Sequence, residues 1–467
     1  ADLTIAPLAN LSVEGTLNVN GNLLVESDAT GTGSLIDKGT VNVTGSKNVE
    51  LYLAQNDRYY YVSSPVAGAT AAVFGDVAGA DKLYWRNTAA SAWSQITSPD
   101  EILITGQGYT TRQADAAQTL VFEGNLNTGS KTINLEHSGD YWNLVGNPYA
   151  SPMDWGTENS AVAGWSNANI RNTIYVKAGG NFAIWNAALD GEAINGGSRY
   201  IPAMQAFWVK SLAAGSKVEM NNNVRVHNGN NLMKQPETLC QKIRVKVSRE
   251  GYTDEAVLRF HEEALTDMDK LDAEKMFASD TQYPQVFMSC GNEKLAIQSL
   301  PQFAGVHVQS LGFKTAVAGT FTFEFSQLES FGAAATVYLE DKLANKMVNL
   351  SQNQVYTFES GICDTDSRFV IHIADGTTHY DPFDKPGAMG IDKLNVKVQV
   401  YGHGNTIYIK AEKAIRATVK IYNLLGAEMA QVELNGNFAQ VEMPQQGHYV
   451  VKVLGNEISK VEKVKVE

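Results

Sequence analysis

The groups in this 467-residue chain that could carry out chemistry are eight histidines, three cysteines and 50 acidic residues. None of His137, His227, His261, His307, His372, His379, His403 and His448 sits in a His-Glu-x-x-His run, so a helix-borne zinc protease centre has no basis here. There is no Gly-x-Ser-x-Gly elbow and no P-loop, and GQGYTT and GTGSLI fail the dinucleotide-binding spacing. Cys240, Cys290 and Cys363 lack Cys-x-x-Cys spacing, which argues against structural zinc or a redox pair. They read as three buried thiols, with one disulfide plus one free thiol as the alternative. A cysteine–histidine nucleophile would need Cys290 to meet His307 in space, yet cysteines in strand-like runs read as core. Asp267, Asp269 and Asp272 are spaced as calcium ligands can be, but the glycine and distal glutamate of an EF-hand loop are missing. They read as capping carboxylates on a loop or short helix. No metal, cofactor or catalytic residue is therefore assigned. A carboxylate pair for glycoside hydrolysis would leave no local signature, because its separation of about 5–10 Å is set by the fold.

The tryptophans say more. All seven lie between positions 85 and 208: Trp85, Trp93, Trp142, Trp155, Trp165, Trp185 and Trp208. Indole rings stack on sugar faces and anchor interfaces. Trp142, Trp185 and Trp208 sit among apolar residues in strand-like runs and read as core. Trp155 and Trp165 sit among Asp, Gly, Ser and Asn, where exposure is expected, and they are the candidate ligand-binding residues. A net charge of -13 and a pI near 5.2 weigh against a nucleic-acid partner. No run approaches the roughly 18 apolar residues of a membrane-spanning helix. The first residue is Ala1, and the segment after it has neither a basic nor an apolar leader region, which predicts either that a signal peptide has been removed or that the N-terminus has been cut back.

The elements that position these residues read as strands throughout. In residues 1–53, Leu11, Val13, Leu17, Val19, Leu23 and Val25 alternate with polar residues between Asn-Gly and Glu-Gly corners, which predicts short β-helix or β-roll repeats. The pattern already runs at Leu3, so the stack is expected to be part of a longer one or to stand short against the next domain. Its rungs are mostly Asn, Thr, Ser and Gly, with Asp37 and Lys38 nearly the only adjacent charges. That composition, over about three rungs, reads as a spacer rather than a substrate groove. Residues 54–236 read as a Trp-rich all-β domain with long loops. Residues 237–378 contain eight strand-like runs, which predict an antiparallel, jelly-roll-like sandwich with one helical turn near ALTDMDKLDAEKMF. A linker with two Pro and two Gly follows at 379–393. Residues 394–467 read as seven short strands of an immunoglobulin-like sandwich, with a hairpin at Asn423–Gly426 and a strand entered at Gly447.

The last block carries a resemblance. Gly404-Asn405-Thr406-Ile407, then Val419-Lys420-Ile421-Tyr422-Asn423-Leu424-Leu425-Gly426, then Gly447-His448-Tyr449-Val450-Val451-Lys452-Val453, with Lys460, Lys463 and Lys465 near the end, resemble the C-terminal sorting domain of proteins exported by the type IX secretion system of Bacteroidetes. Many members carry an Asn-Pro turn after the first strand, where this chain has Tyr401-Gly402-His403-Gly404. The resemblance implies that Gly426, Gly447, Tyr449, Lys463 and Lys465 belong to a sorting signal. It also implies partners in the export machinery and its sortase, attachment to anionic lipopolysaccharide, and an extracellular, outer-membrane surface-attached location. RYYYVSSPVAG, WNLVGNPYASPMDW and RYIPAMQAFWVK also look like segments of surface proteins from the same bacteria. The expected function is a non-catalytic, secreted cell-surface protein, structural or adhesive, that touches glycan or host matrix. The alternative is a carbohydrate-binding or carbohydrate-active surface protein. Two carboxylates facing each other in a Trp-lined cleft would favour a hydrolase; an aromatic shelf without them would favour a binding module.

Overall fold

The computed structural model describes residues 1–54, 59–78, 82–112, 116–227, 240–302, 305–332, 334–376, 398–424, 426–455 and 458–466. The chain is all-β, and the helical content of the described residues is three single turns of 3₁₀ helix. It divides into two compact units, 1–380 and 381–467. The predicted linker at 379–393 lies outside the described residues.

The N-terminal repeats form a three-sided parallel stack. Leu3–Ile5 pairs with Leu23–Val25, which pairs with the start of Lys47–Leu53. Asn10–Val13 pairs with Ser34–Asp37, and Thr16–Val19 with Thr40–Val43. The offset is 24 residues on two sides, as in Asn10 to Ser34 and Thr16 to Thr40. On the first side it is 20 from Leu3 to Leu23 and 24 from Leu23 to Lys47, because only the second rung carries a small hairpin, Ser27–Asp28 against Gly31–Thr32, which follows Leu23–Val25. Alternation points Val13, Val19, Leu23, Val25, Leu35 and Val49 inward, where all are buried. The last rung is covered by Gln118–Glu123, which pairs antiparallel along Lys47–Leu53 and removes that open edge. The stack has no core of its own: Leu23, Leu35 and Val49 share one apolar cluster with Val62, Phe74, Leu83, Tyr109 and Phe122.

Two antiparallel sheets follow. Tyr59–Val62, Tyr109–Arg112, Leu83–Asn87 and Ala92–Gln95 form one, in that order. Trp142–Gly146, Ala206–Lys210, Thr173–Ala178, Asn181–Asn186 and Glu192–Ile194 form the other. Lys131–Asn134 pairs with Lys217–Met220 beside them.

The sandwich is one curled sheet of eleven strands. Each of the eight predicted runs contains a strand; Ala273–Glu274, Gln285–Cys290 and Lys346–Asn349 are additional. One pairing departs from the antiparallel expectation: Tyr252–Phe260 runs parallel to Glu293–Leu300. The predicted helical turn near 264–277 is absent. Asp269 instead accepts the backbone N–H groups of Leu265 (2.7 Å) and Leu271 (2.6 Å), and Asp272 accepts those of Asp269 (2.8 Å) and Ser299 (2.6 Å). Side chains that capture local N–H groups compete with the helical ladder and hold the segment as a loop. The cysteines form no disulfide with one another and are half-buried, not buried.

Among its described residues the second unit has five strands where seven were expected. Thr406–Asn423 and Glu428–Glu442 each run through two of the predicted segments, with a register jump between Lys410 and Ile415 that bends the pair. The bend lets both halves enclose one core of Ile407, Ile409, Val419, Ile421, Leu434, Val451 and Val453.

Candidate functional site

In the first unit, a cleft of about 570 Å³ opens between the hairpin Leu83–Asn87/Ala92–Gln95, the 104–107 loop and the segment 131–136. That volume lies within the roughly 300–1,000 Å³ of small-molecule sites. Trp85 lines it from one side and is half-buried, braced against the core shared with the stack. Across from it, alternation in Lys131-Thr132-Ile133-Asn134-Leu135-Glu136 turns Ile133 and Leu135 toward an apolar cluster and leaves Thr132, Asn134 and Glu136 exposed along the cleft. Gln107 and the exposed Ile104 complete the part of the wall that matters here.

Two glycines set these walls in place. Gly106 (φ 80°) lies against Ile133, where an added Cβ would come within 2.5 Å of the side chain. Gly139 (φ 60°) brings the 136–141 loop onto the hairpin turn, and a Cβ there would meet the Thr88 carbonyl oxygen at 2.1 Å. Both φ values favour glycine before any clash is counted. Glu136 is held by its backbone. Its N–H donates to Asn143 Oδ1 (2.9 Å), and the Asn143 amide donates to the carbonyls of Glu136 (3.0 Å) and Tyr141 (3.1 Å). Ser138 Oγ donates to its carboxylate at 2.7 Å. The side chains of Gln107, Thr132 and Asn134 have no hydrogen-bond partner among the described residues. The cleft is thus lined by Trp85 together with a row of hydroxyl, amide and carboxylate groups. Glu136 is the only carboxylate among its lining residues.

Arg86 also lines the cleft, but its guanidinium is engaged elsewhere. It pairs with Asp140 and lies 6.0 Å from the ring of Trp93 and 5.6 Å from that of Trp208. Trp93 packs on Tyr61 (5.8 Å) and Trp208 (5.7 Å) and keeps 38% of its surface exposed. Burial pushes the Tyr61 hydroxyl up to about 12, so it stays neutral.

The residues singled out in the sequence fall elsewhere. Trp155 was expected to be exposed and is buried, with its ring on Phe207. Trp165 is half-buried and packs edge-on against Trp155 at 4.7 Å. Their indole N–H groups donate to the carbonyls of Asn172 (3.0 Å) and Asp154 (2.7 Å). The polar flanks of Trp155 are turned inward, with Asp154 held by Arg199 at 2.6 and 3.0 Å, whereas Ser166 and Asn167 beside Trp165 are exposed although the ring itself packs inward. Trp85 and Trp93 were not singled out, although both lie in the hairpin Trp85-Arg-Asn-Thr-Ala-Ala-Ser-Ala-Trp93, where a tight polar turn separates two rings. The Thr-x-Asn-x-Glu stripe was legible as alternation in KTINLEH but reads alone as an ordinary wet strand face. Cys290 bonds weakly to the Thr266 carbonyl (3.7 Å), while His307 packs edge-on against Phe260 (5.2 Å). Among the described residues no cluster of His, Cys, Asp and Glu could hold a metal ion. No helix among them is long and apolar enough to cross a membrane.

In the second unit, Gly426 lies in the turn after Thr406–Asn423, and Gly447 opens the strand Gly447–Gly455. Tyr449 is buried, its hydroxyl donating to the Gln445 carbonyl at 2.7 Å. Lys463 and Lys465 are exposed and alternate with buried Val464 and Val466 on the last strand.

Fold and cleft together define an all-β protein with a polar cleft, lined in part by Trp85, in a multi-sheet unit, joined in sequence to a separate small unit built on a five-stranded sheet. The chain belongs to the family described as a domain of unknown function, DUF8693, whose model matches residues 1–373. The match covers the first unit and none of the second. No curated protein matches the chain. Among solved structures, a beta-glucuronidase of Ruminococcus gnavus is similar at 10% identity and a TM-score of 0.13, over 89% of this chain and 46% of that one. This chain thus spans less than half of that enzyme. The BSP domain of a biofilm associated protein is similar at 10% identity and a TM-score of 0.14, over 90% of this chain and 92% of that one. Overlays this loose carry no argument about fold or function.

Proposed function

We propose that this is a non-catalytic, surface-displayed recognition protein that contacts carbohydrate through the Trp85 cleft and is exported by its C-terminal unit. The observation that carries the reading is the cleft itself: a braced indole opposite unpartnered Asn, Gln and Thr side chains, with a single carboxylate. Aromatic stacking plus a few placed polar groups is how small polar ligands are held. One carboxylate favours binding over hydrolysis, since glycosidases of the usual kind need two. The buried, internally bonded Trp155 and Trp165 are assigned to the core instead.

Export rests on the sorting-domain resemblance of residues 394–467. It is supported by the position of that unit outside the family match and by its separate core. Type IX machinery, its sortase and anionic lipopolysaccharide are the partners this reading requires, and the outer-membrane surface is the location. Deletion of residues 381–467 from the protein expressed in a Bacteroidetes host with type IX secretion tests it. Loss of surface display, with protein retained inside the cell envelope, is the expected result. Unchanged display would remove the export reading. Glycan contact is tested separately by screening the full chain on a glycan array alongside Trp85→Ala and Asn134→Ala; binding that both substitutions weaken is expected.

A further inference from the structure

The charges around the cleft narrow its ligand, on the premise that it is a carbohydrate site. We infer that the cleft selects neutral pyranose chains and excludes uronic and sialic acids.

An anionic sugar needs a cation with free donors, supplied in most sites by Arg or Lys. No lysine is among the described residues that line the cleft. The guanidinium of the one arginine among the described lining residues, Arg86, pairs with Asp140 through Nη2 and is covered by the rings of Trp93 and Trp208, and its unpartnered Nε is buried out of a ligand's reach. Among the described lining residues the only exposed charge is the Glu136 carboxylate, and Asn143 fixes the backbone that carries it. A carboxylate accepts from two neighbouring sugar hydroxyls at once but repels a carboxylate on the ligand. Asn134 and Gln107 each provide a donor and an acceptor, which suits hydroxyls that must do both. Trp85 is among the lining residues, and an indole suits the apolar C–H side of a pyranose ring. Exposed Asn134 and Thr132 continue the polar row beyond Glu136 on the same side, which suits a chain longer than one sugar.

The test is isothermal titration of the full chain with cellohexaose, mannohexaose and maltohexaose, against hexagalacturonate and 3′-sialyllactose, at fixed ionic strength. At least one neutral oligosaccharide should bind, about ten-fold or more tightly than either acid. Glu136→Gln should weaken the neutral ligand by about ten-fold, as loss of a charged acceptor does, and narrow the gap to the acids. Trp85→Ala should abolish binding. Because Trp85 also braces the core, Asn134→Ala, at an exposed position, serves as the variant whose folding is safe. Acids that bind as tightly as neutral chains, with Trp85 and Asn134 still required, would overturn the selectivity and leave the cleft as a carbohydrate site. Folded protein that binds neither class, or binds independently of these side chains, overturns both.

Discussion

His227 is held by two serines on neighbouring rungs of the stack: Nε2 lies 2.8 Å from Ser12 Oγ and Nδ1 lies 2.8 Å from Ser34 Oγ. A neutral imidazole satisfies both, donating from one nitrogen and accepting at the other, whereas the protonated ring can only donate. Burial, then the positive charges of Arg225 and Lys38, hold its pKa below the ordinary 6.5. Arg225 itself is anchored to Asp37 at 2.7 Å, so the cation cannot swing away. The folded state therefore binds fewer protons than the unfolded one as pH falls below 6.5, and stability drops through that window while remaining unaffected above it. Asp272 acts in the opposite sense: burial raises its carboxyl to about 6, so its contribution is present at low pH and is lost as pH rises through that value. A wild-type pH profile mixes the two, and a difference between variants separates them. His227→Gln keeps a donor and an acceptor but cannot titrate; its melting temperature should fall less than wild type between pH 7 and pH 5. Parallel profiles would show that the ring is not linked to folding. Sequence reading at this scale stops at residue type and spacing. It missed the His227 clamp because the serines lie more than 190 residues away, and it misplaced Trp155 because polar neighbours do not reveal which way a loop turns.

At the scale of elements, the stack offers a matched pair of glycines. Gly15 and Gly39 occupy equivalent corners, 24 residues apart, just ahead of the paired strands Thr16–Val19 and Thr40–Val43. A Cβ on Gly39 would come within 1.9 Å of the Gly15 carbonyl oxygen, whereas one on Gly15 would meet nothing within 4 Å. Neither residue has positive φ, so the difference is one of space alone. Gly39→Ala should cost about 1–3 kcal/mol, as inserting a methyl into a tight contact does. Gly15→Ala should stay within about 0.5 kcal/mol of wild type, as at an ordinary surface position. Denaturant midpoints of the two variants decide it; equal costs would mean that the corners do not stack as described. These strands were legible because one face is dry and the other wet, which imprints a period of two. Gln285–Cys290 was not: it lies inside the large sheet between Val306–Thr315 and Glu293–Leu300, its first four residues are all buried, and no alternation remains to be read. In the last unit, the break between Lys410 and Ile415 looked like the end of one strand and the start of another. It is a register shift within a single 18-residue strand, a distinction that depends on partners the local sequence does not contain.

At the scale of the whole molecule, the Trp-rich sheets and the large sandwich are fused through a buried polar centre. Asp254 accepts from Asn181 (3.0 Å), Asn195 (2.9 Å) and the Val286 N–H (2.8 Å), and forms an ion pair with Lys275. The two charged side chains are 0% and 1% exposed, so water cannot replace a lost partner. Tyr175 and Phe182 share the surrounding apolar cluster with Val257 and Ile297, which carries the same junction in hydrophobic form. Composition marks the two parts as different, but a lysine and an aspartate 21 residues apart give no sign that they meet in the dry interior. Their burial appears only once both sheets are placed. Lys275→Met removes the cation and leaves the carboxylate behind, which for a buried pair costs about 3–5 kcal/mol. The junction also fixes how that loss is distributed. All seven tryptophans belong to the Trp-rich part, whereas Cys290 belongs to the sandwich, so indole fluorescence and thiol labelling report the two sides independently. With a shared core, both denaturation midpoints should shift down together by the same free energy. A shift in thiol labelling while the fluorescence midpoint stays in place would mean that the two sides unfold separately, and that the cleft is held by its own sheets alone.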